Sequence, residues 1–283
     1  MWDQPRLVMT APLAHGAGNW CDDPMRALVP DIIEDLSDSD LDHVYAWPAQ
    51  RDQTWLRMNF AASIDGCVTD NDGLSAGVSS PDDKRVFALL RATCDAVLVG
   101  AGTARAEGYG PVKVRESMSE LRRRAGMTTP PRLVIITNSG NLDPASSAFV
   151  EADPRARTIV VTRGESHGTA GSGPARLTEL AQVADIVLAG EEHVDLVSAR
   201  TKLANLGLHR LLCEGGPSLF GDMLTAGVVD DLCLTTSPLI AGQSAENRTT
   251  LVGQDALPRH HDATLASLVQ ANDSLLARWL LRK

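Results

Sequence analysis

The chain has 283 residues, of which 43% are hydrophobic and 22% charged, with a formal net charge of −10. That length and balance describe a globular chain with a sizeable core in one large or two small domains, and the acidic surplus excludes a broad electrostatic hold on a nucleic-acid backbone. Five cysteines, odd in number, widely separated and without a C-x-x-C pair, exclude a zinc or disulfide framework.

Residues 1–53 read as an acidic extension rich in proline (Pro5, Pro12, Pro24, Pro30, Pro48), in which "LVPDIIEDL" is expected to form a helix. The opening residues lack the basic start and apolar block of a signal peptide, and no apolar run approaches the roughly 18 residues of a membrane span. The expectation is a cytoplasmic protein.

From Trp55 the pattern changes to short β-rich runs alternating with helical stretches. Strands are expected at 56–62, 96–100, 132–137, 158–162, 185–189 and 210–214, each bounded by Gly, Pro, Asn or Asp. "SSPDDKRVFALLRATC" places Ser80 as N-cap and Pro81 at the first helical position, with Val86, Leu89, Leu90 and Thr93 on one face. Further helices are expected in "RESMSELRRRAG", "VDLVSARTKLANLG" and "PSLFGDMLTAG", and a flexible loop in "GESHGTAGSGPA". This alternation predicts an α/β domain with largely buried, parallel strands. The runs "DDLCLTTSPLIAG" and "SLLARWLLRK" are separated by about thirty loop-rich residues with no clear helix between them, which predicts antiparallel strands at one edge of a mixed sheet.

Three strand ends carry small or basic residues. "VLVGAGTARAEGYGP" begins like a dinucleotide fingerprint with Gly100, Gly102 and Thr103, but Arg105 stands where the third glycine belongs, so a plain turn and a phosphate contact both remain open. "IITNSG" and "VVTRG" repeat the theme; together they line the carboxyl rim of a sheet, where open α/β folds bind ligands. "NFAASIDGCVTDNDGLSAG" carries the turn dipeptides Asp65-Gly66 and Asp72-Gly73, while the small residues Ala61, Ala62 and Ser63 leave room for a flat ring. In "LLCEGGPSLFGDML" a strand ends in Glu214, Gly215 and Gly216 before a helix opens at Pro217, a junction suited to an anion. The acid there is either a helix N-terminal charge or a reader of substrate hydroxyls. The seven histidines show no H-x-E or H-E-x-x-H spacing and there is no G-x-S-x-G or P-loop, so no metal is expected and the chemistry is expected to rest on a bound cofactor.

Taken in order, "AASIDG", "VSSPDD…LLRA", "VLVGAGTARAE", "ITNSG" and "EGGPSLFGDML" resemble the reductase domain of bifunctional riboflavin-biosynthesis deaminase/reductase proteins, over about residues 55–283. The deaminase signature H-x-E…P-C-x-x-C is absent, so the resemblance is to a stand-alone reductase domain at 54–283. It implies a dihydrofolate-reductase-like three-layer α/β fold: a mixed, mostly parallel sheet with antiparallel C-terminal edge strands and helices on both faces. It also implies a homodimer, and reduction of 5-amino-6-(5-phosphoribosylamino)uracil by hydride transfer from NADPH to a C=N.

Carried over position by position, the resemblance puts Ala61 and Gly77 at the nicotinamide, Thr103 and Glu107 at the cofactor's middle and Ser139 at its 2′-phosphoribose. Gly216, Pro217, Ser218 and Leu219 cradle the diphosphate, with Gly100, Gly102 and Gly215 beside them. Ser75, Arg91, Arg115 and Glu214 fall to the substrate, which would be a small heterocycle. Arg163 is added here as a grip on the 2′-phosphate, and Asp65 as the proton relay. Cys67 stands where the family commonly has a basic residue. Two other readings stay open: a dihydrofolate or pterin reductase, which needs no sugar-phosphate cation, and an NADP(H)-binding protein without turnover.

Overall fold

Short runs of β-branched and aliphatic residues build the centre of the molecule, seen in a computed structural model that describes residues 25–50, 52–127, 129–164, 174–244, 246–253 and 257–282. In chain order the elements are β1 (Arg26–Val29), α1 (Asp38–Val44), β2 (Trp55–Ser63), α2 (Pro81–Thr93), β3 (Ala96–Gly100), α3 (Ala101–Ala106), α4 (Glu116–Arg124), β4 (Arg132–Ile136), α5 (Ser147–Val150), β5 (Ile159–Thr162), α6 (Pro174–Val183), β6 (Asp185–Leu188), α7 (Leu196–Asn205), β7 (Arg210–Cys213), α8 (Pro217–Thr225), β8 (Asp231–Ser237), β9 (Ala263–Ala271) and β10 (Ser274–Leu281). Most of the expected flexible loop "GESHGTAGSGPA" lies outside the described residues.

The strands form one ten-stranded sheet in the order β1-β9-β10-β8-β2-β7-β3-β4-β5-β6. From β8 to β6 the neighbours are parallel, while β10 pairs antiparallel with β8 and β9, and β9 with β1. The mixed sheet with an antiparallel edge is the arrangement expected from the sequence. Strand alternation splits the core in two: Val97 and Val99 join Leu89, Leu133 and Ile135 on one face, and Leu98 joins Met58, Val134 and Phe220 on the other. Helices cover both, which makes three layers. No helix among the described residues is long and apolar enough to cross a membrane.

Strand β7 arrives late in the chain yet sits between β2 and β3. Its last residues therefore emerge between the carboxyl ends of two strands formed much earlier, at the switch in strand order where α/β sheets open a crevice. Helix α2 begins as expected: Ser80 accepts from the Asp83 amide and Pro81 holds the first turn.

Three expectations are corrected. "LVPDIIEDL" is not helical: Arg26–Val29 is a strand, Asp35 lies at φ 56°, and Ile32 is exposed. Pro30 holds its predecessor extended, and the helix waits for the reciprocal Ser37–Asp40 capping box. The stretch before "SLLARWLLRK" contains β9, whose Ser267 and Gln270 dilute its alternation. Helix α3, which neither open reading of "VLVGAGTARAEGYGP" included, begins directly after Gly100.

Candidate active site

At the end of β7 the backbone is shaped by what it lacks. Gly215 sits at φ 102°, a region L side chains avoid, and the Gly215–Gly216 peptide is cis. A Cβ on Gly215 would stand 3.3 Å from two ring carbons of Phe60, and one on Gly216 would stand 2.3 Å from Thr103 Oγ1. The turn is pinned to β3, with the Gly100 amide donating to the Gly215 carbonyl at 2.8 Å and the Glu214 amide to the Leu98 carbonyl at 2.9 Å. Helix α8 then opens at Pro217 without any side-chain cap, which leaves its first amides without a side-chain acceptor at the positive end of its dipole.

Beside this junction lies a cavity of about 390 Å³ between β2, the 3₁₀ turn Ser75–Val78, α2, α3 and the β7–α8 turn. It brings together seven residues singled out in the sequence: Ala61, Ser75, Thr103, Glu107, Glu214, Gly216 and Pro217. Phe60, Asp83, Lys84, Phe87 and Tyr109 line it as well. None of these was anticipated; Asp83 had a visible signal, an acid three residues before Val86 and seven before Leu90 on the apolar stripe of α2. Glu107 accepts from the Ser75 amide at 3.0 Å and so holds the 3₁₀ turn over the cavity. Gly77 serves that turn, since a Cβ there would meet Asp70 Oδ2 at 2.3 Å.

Glu214 is the best-connected group of the site. Arg91 donates to it twice, Nε to Oε1 at 2.7 Å and Nη2 to Oε2 at 2.6 Å, and Tyr109 donates its hydroxyl to Oε2 at 2.8 Å. The Glu214 side chain is 2% exposed and that of Arg91 24%. Burial works against the charge of Arg91, yet the hydrogen bonds and charge of Glu214 carry its pKa above the ordinary value. Burial pushes the Tyr109 phenol up, and the neighbouring Glu214 charge adds to it. Arg91 also lies over the Phe87 ring at 4.2 Å. Arg91 is therefore joined to the cavity through Glu214 rather than lining it.

The remaining candidates sit around the carboxyl rim. Leu219 packs its Cβ 3.7 Å from the space above Gly100, and the Ser218 amide lies 3.4 Å from that above Gly253. Ser139 follows β4 and Arg163 follows β5, where Arg163 donates to the carbonyls of Asn138 at 2.9 Å and Glu192 at 3.1 Å. Gly102 lies on α3, and Arg115 is the N-cap residue of α4; neither lines the cavity. Cys67 is fully buried.

Asp65 does not line the cavity either. Its carboxylate accepts from Ser63 Oγ at 2.6 Å and from the amides of Ala241 and Gly242, each at 2.9 Å. The Ser63 hydrogen bond, followed by the two amides, holds its pKa far below the usual carboxylate range. A carboxylate so held has no proton to give at neutral pH; the geometry makes it a clasp between the β2 turn and the 239–242 loop. The clasp is complete above the ordinary carboxylate pKa and is lost only as pH falls through the depressed folded value. Asp65→Asn, which presents an amide to one of those N–H groups, is expected to lower the melting temperature and speed protease cleavage of the 239–242 loop; unchanged proteolysis would contradict the clasp.

A mixed sheet with a glycine-lined crevice at its switch point, and a cavity beside the uncapped start of a helix, is the architecture of reductases of the dihydrofolate-reductase-like fold. The chain belongs to the RibD C-terminal domain family, which matches residues 54–273. It is 30% identical over 209 residues to the 2,5-diamino-6-ribosylamino-4(3H)-pyrimidinone 5′-phosphate reductase of Methanothermobacter thermautotrophicus, covering 74% of this chain and 88% of that one. The enzyme of the same name from Archaeoglobus fulgidus is 27% identical over 188 residues, 66% of this chain and 82% of that one. Among solved structures, a pyrimidine reductase-like protein from Corynebacterium diphtheriae superposes with a TM-score of 0.75 at 26% identity, covering 88% of this chain and all of that one. The resemblance drawn from the five motifs is borne out.

Proposed function

We propose that the protein is an NADPH-dependent reductase of a phosphoribosylated aminopyrimidine, reducing its C=N in the riboflavin pathway, and that it works as a cytoplasmic homodimer. The observation that carries this reading is the side-chain-free junction Gly215-Gly216-Pro217, abutting both the uncapped start of α8 and the aromatic cavity. The glycines leave the backbone bare where a diphosphate would approach, and the open amides of Ser218 and Leu219 suit its charge. The cofactor supplies a hydride from its nicotinamide C4; the protein's part is to place the two ligands face to face and keep water out.

Gly100, Gly102, Thr103 and Gly216 are assigned to the cofactor's middle, Ala61 and Gly77 to its nicotinamide end, and Ser139 and Arg163 to its 2′-phosphate. Phe60, Phe87 and Tyr109 give the substrate ring flat apolar walls. Glu214 keeps one acceptor position: a carboxylate offers about four lone-pair sites, and Arg91 and Tyr109 occupy three. That position is assigned to a ribose hydroxyl. Lys84, the cation that lines the cavity among the described residues, suits the sugar phosphate in place of the basic residue that Cys67 replaces. The homodimer contact is assigned to the antiparallel edge of the sheet at a second cavity, lined by Leu224, Leu232, Leu251, Leu257 and Trp279.

The test is loss of NADPH absorbance with the diaminopyrimidinone ribosyl phosphate, with its uracil counterpart and with dihydrofolate, alongside calorimetry of NADPH and sedimentation of the same sample. Turnover of either pyrimidine at least tenfold faster than of dihydrofolate is expected. Dihydrofolate as the faster substrate would replace the pyrimidine assignment, and NADPH uptake without turnover would make the protein a binder.

A further inference from the structure

Asp83 is a buried acid for which the reading above has no use. It is the third residue of α2, 5% exposed, and it lines the cavity with Phe60, Phe87 and Tyr109. Ser79 Oγ donates to its Oδ2, and Thr235 Oγ1, on β8, to its Oδ1 at 2.7 Å. No salt bridge neutralises it among the described residues. Among the described residues the charged and titratable groups around it are few. Lys84 and Asp82 flank it on α2 with opposite effects. Tyr45, just past α1, and Cys233 of β8 face it from the interior, and burial keeps both protonated. Glu107 and Glu214 line the same cavity. Burial raises its pKa, and the Ser79 and Thr235 hydroxyls, which favour the anion, oppose that without cancelling it. Among the described residues no histidine lines the cavity.

We propose that Asp83 is the proton-donating catalytic residue, delivering its carboxyl proton to the nitrogen of the substrate C=N as hydride reaches the carbon. The inference rests on the reductase reading. Its balance is complete: the C=N π bond breaks, a C–H bond forms with the hydride from the reduced nicotinamide, and an N–H bond forms with the Asp83 proton. An oxidised nicotinamide and an Asp83 carboxylate remain. The carboxylate is stabilised by the two hydroxyl donors until water reprotonates it.

The experiment is single-turnover hydride transfer against pH in the wild type, Asp83→Asn and Thr235→Val, with a carboxyl carbon-13 NMR titration of each in the absence of cofactor. In the wild type the rate falls as pH rises through one ionisation, because the protonated acid is the active form, and one carboxyl resonance titrates with the same midpoint. Asp83→Asn lowers the rate by about 10²-fold or more, removes both the limb and the resonance, and leaves NADPH affinity within about twofold of the wild type, as expected of a group that touches only the substrate. Thr235→Val removes a donor that favours the anion, so limb and resonance both move to higher pH. A limb retained in Asp83→Asn, or a Thr235→Val profile that does not move, would overturn the proposal. A wild type that binds NADPH but turns over no C=N substrate would instead overturn the reductase reading, and the resonance would still report the state of Asp83.

Discussion

Replacing Glu214 with Ala is expected to lower stability more than any other single change at the cavity, and to lower turnover with it. The substitution leaves the Arg91 guanidinium and the Tyr109 hydroxyl facing each other without an acceptor. Breaking a buried ion pair from one side costs about 3–5 kcal/mol. Because the Arg91 side chain keeps 24% of its surface in solvent, the lower end applies, about 3 kcal/mol. For a chain of this size that corresponds to a melting temperature about 6–12 °C lower. Arg91 and Tyr109 lose the group that fixes them, so turnover should fall by about 10²-fold, while NADPH affinity changes little. Glu214→Gln, which keeps the shape and removes the charge, is expected to fall between. Calorimetric melting and steady-state kinetics check both effects, and an Ala variant with wild-type melting would show that the pair contributes nothing.

The second large effect is expected far from the cavity, at Asp231→Ala. Arg57 and Asp231 are both 0% exposed, joined at 2.9 Å through Arg57 Nε, and Arg278 Nε reaches the same carboxylate at 2.9 Å. Burial works against the charge of Arg57, but Asp231 outweighs it and the guanidinium pKa ends above its ordinary value. Arg57 also donates to the carbonyls of Tyr45 and Ala46 and lies 4.2 Å over the Trp47 ring. One carboxylate thus ties β2, β8, β10 and the segment after α1 together. Its removal strands two guanidinium groups in the interior, at a cost of about 3–5 kcal/mol. That is a large part of the 5–15 kcal/mol by which folded chains exceed unfolded ones. Denaturant unfolding should show the midpoint shift, with hydrogen exchange rising first in the 38–47 segment. An Asp231→Ala variant as stable as the wild type would mean the network is neutral.

The same network explains why residues 25–50 read as an appendage. They are tied to the sheet by the pairing of β1 with β9 and by a carboxylate and two carbonyls almost two hundred residues apart, and composition carries no trace of such contacts. In the same way Thr235 reaches Asp83 across 152 positions.

Local chemistry determined much from sequence alone. The six parallel strands β2 to β7 follow from aliphatic runs between turn residues, and α2 from Ser80 and Pro81, because these preferences act over a few neighbouring residues. The glycines at 215 and 216 were legible as a close backbone approach for the same reason. Only the tertiary structure decided the rest. It seated β7 between β2 and β3, spent Glu214 on Arg91 and Tyr109, turned Asp65 into a loop clasp, and set Asp83 in the cavity wall. Each of those outcomes depends on which distant strand end arrives alongside, and on how deeply the arriving charge is buried. Neither quantity is a property of the neighbouring sequence.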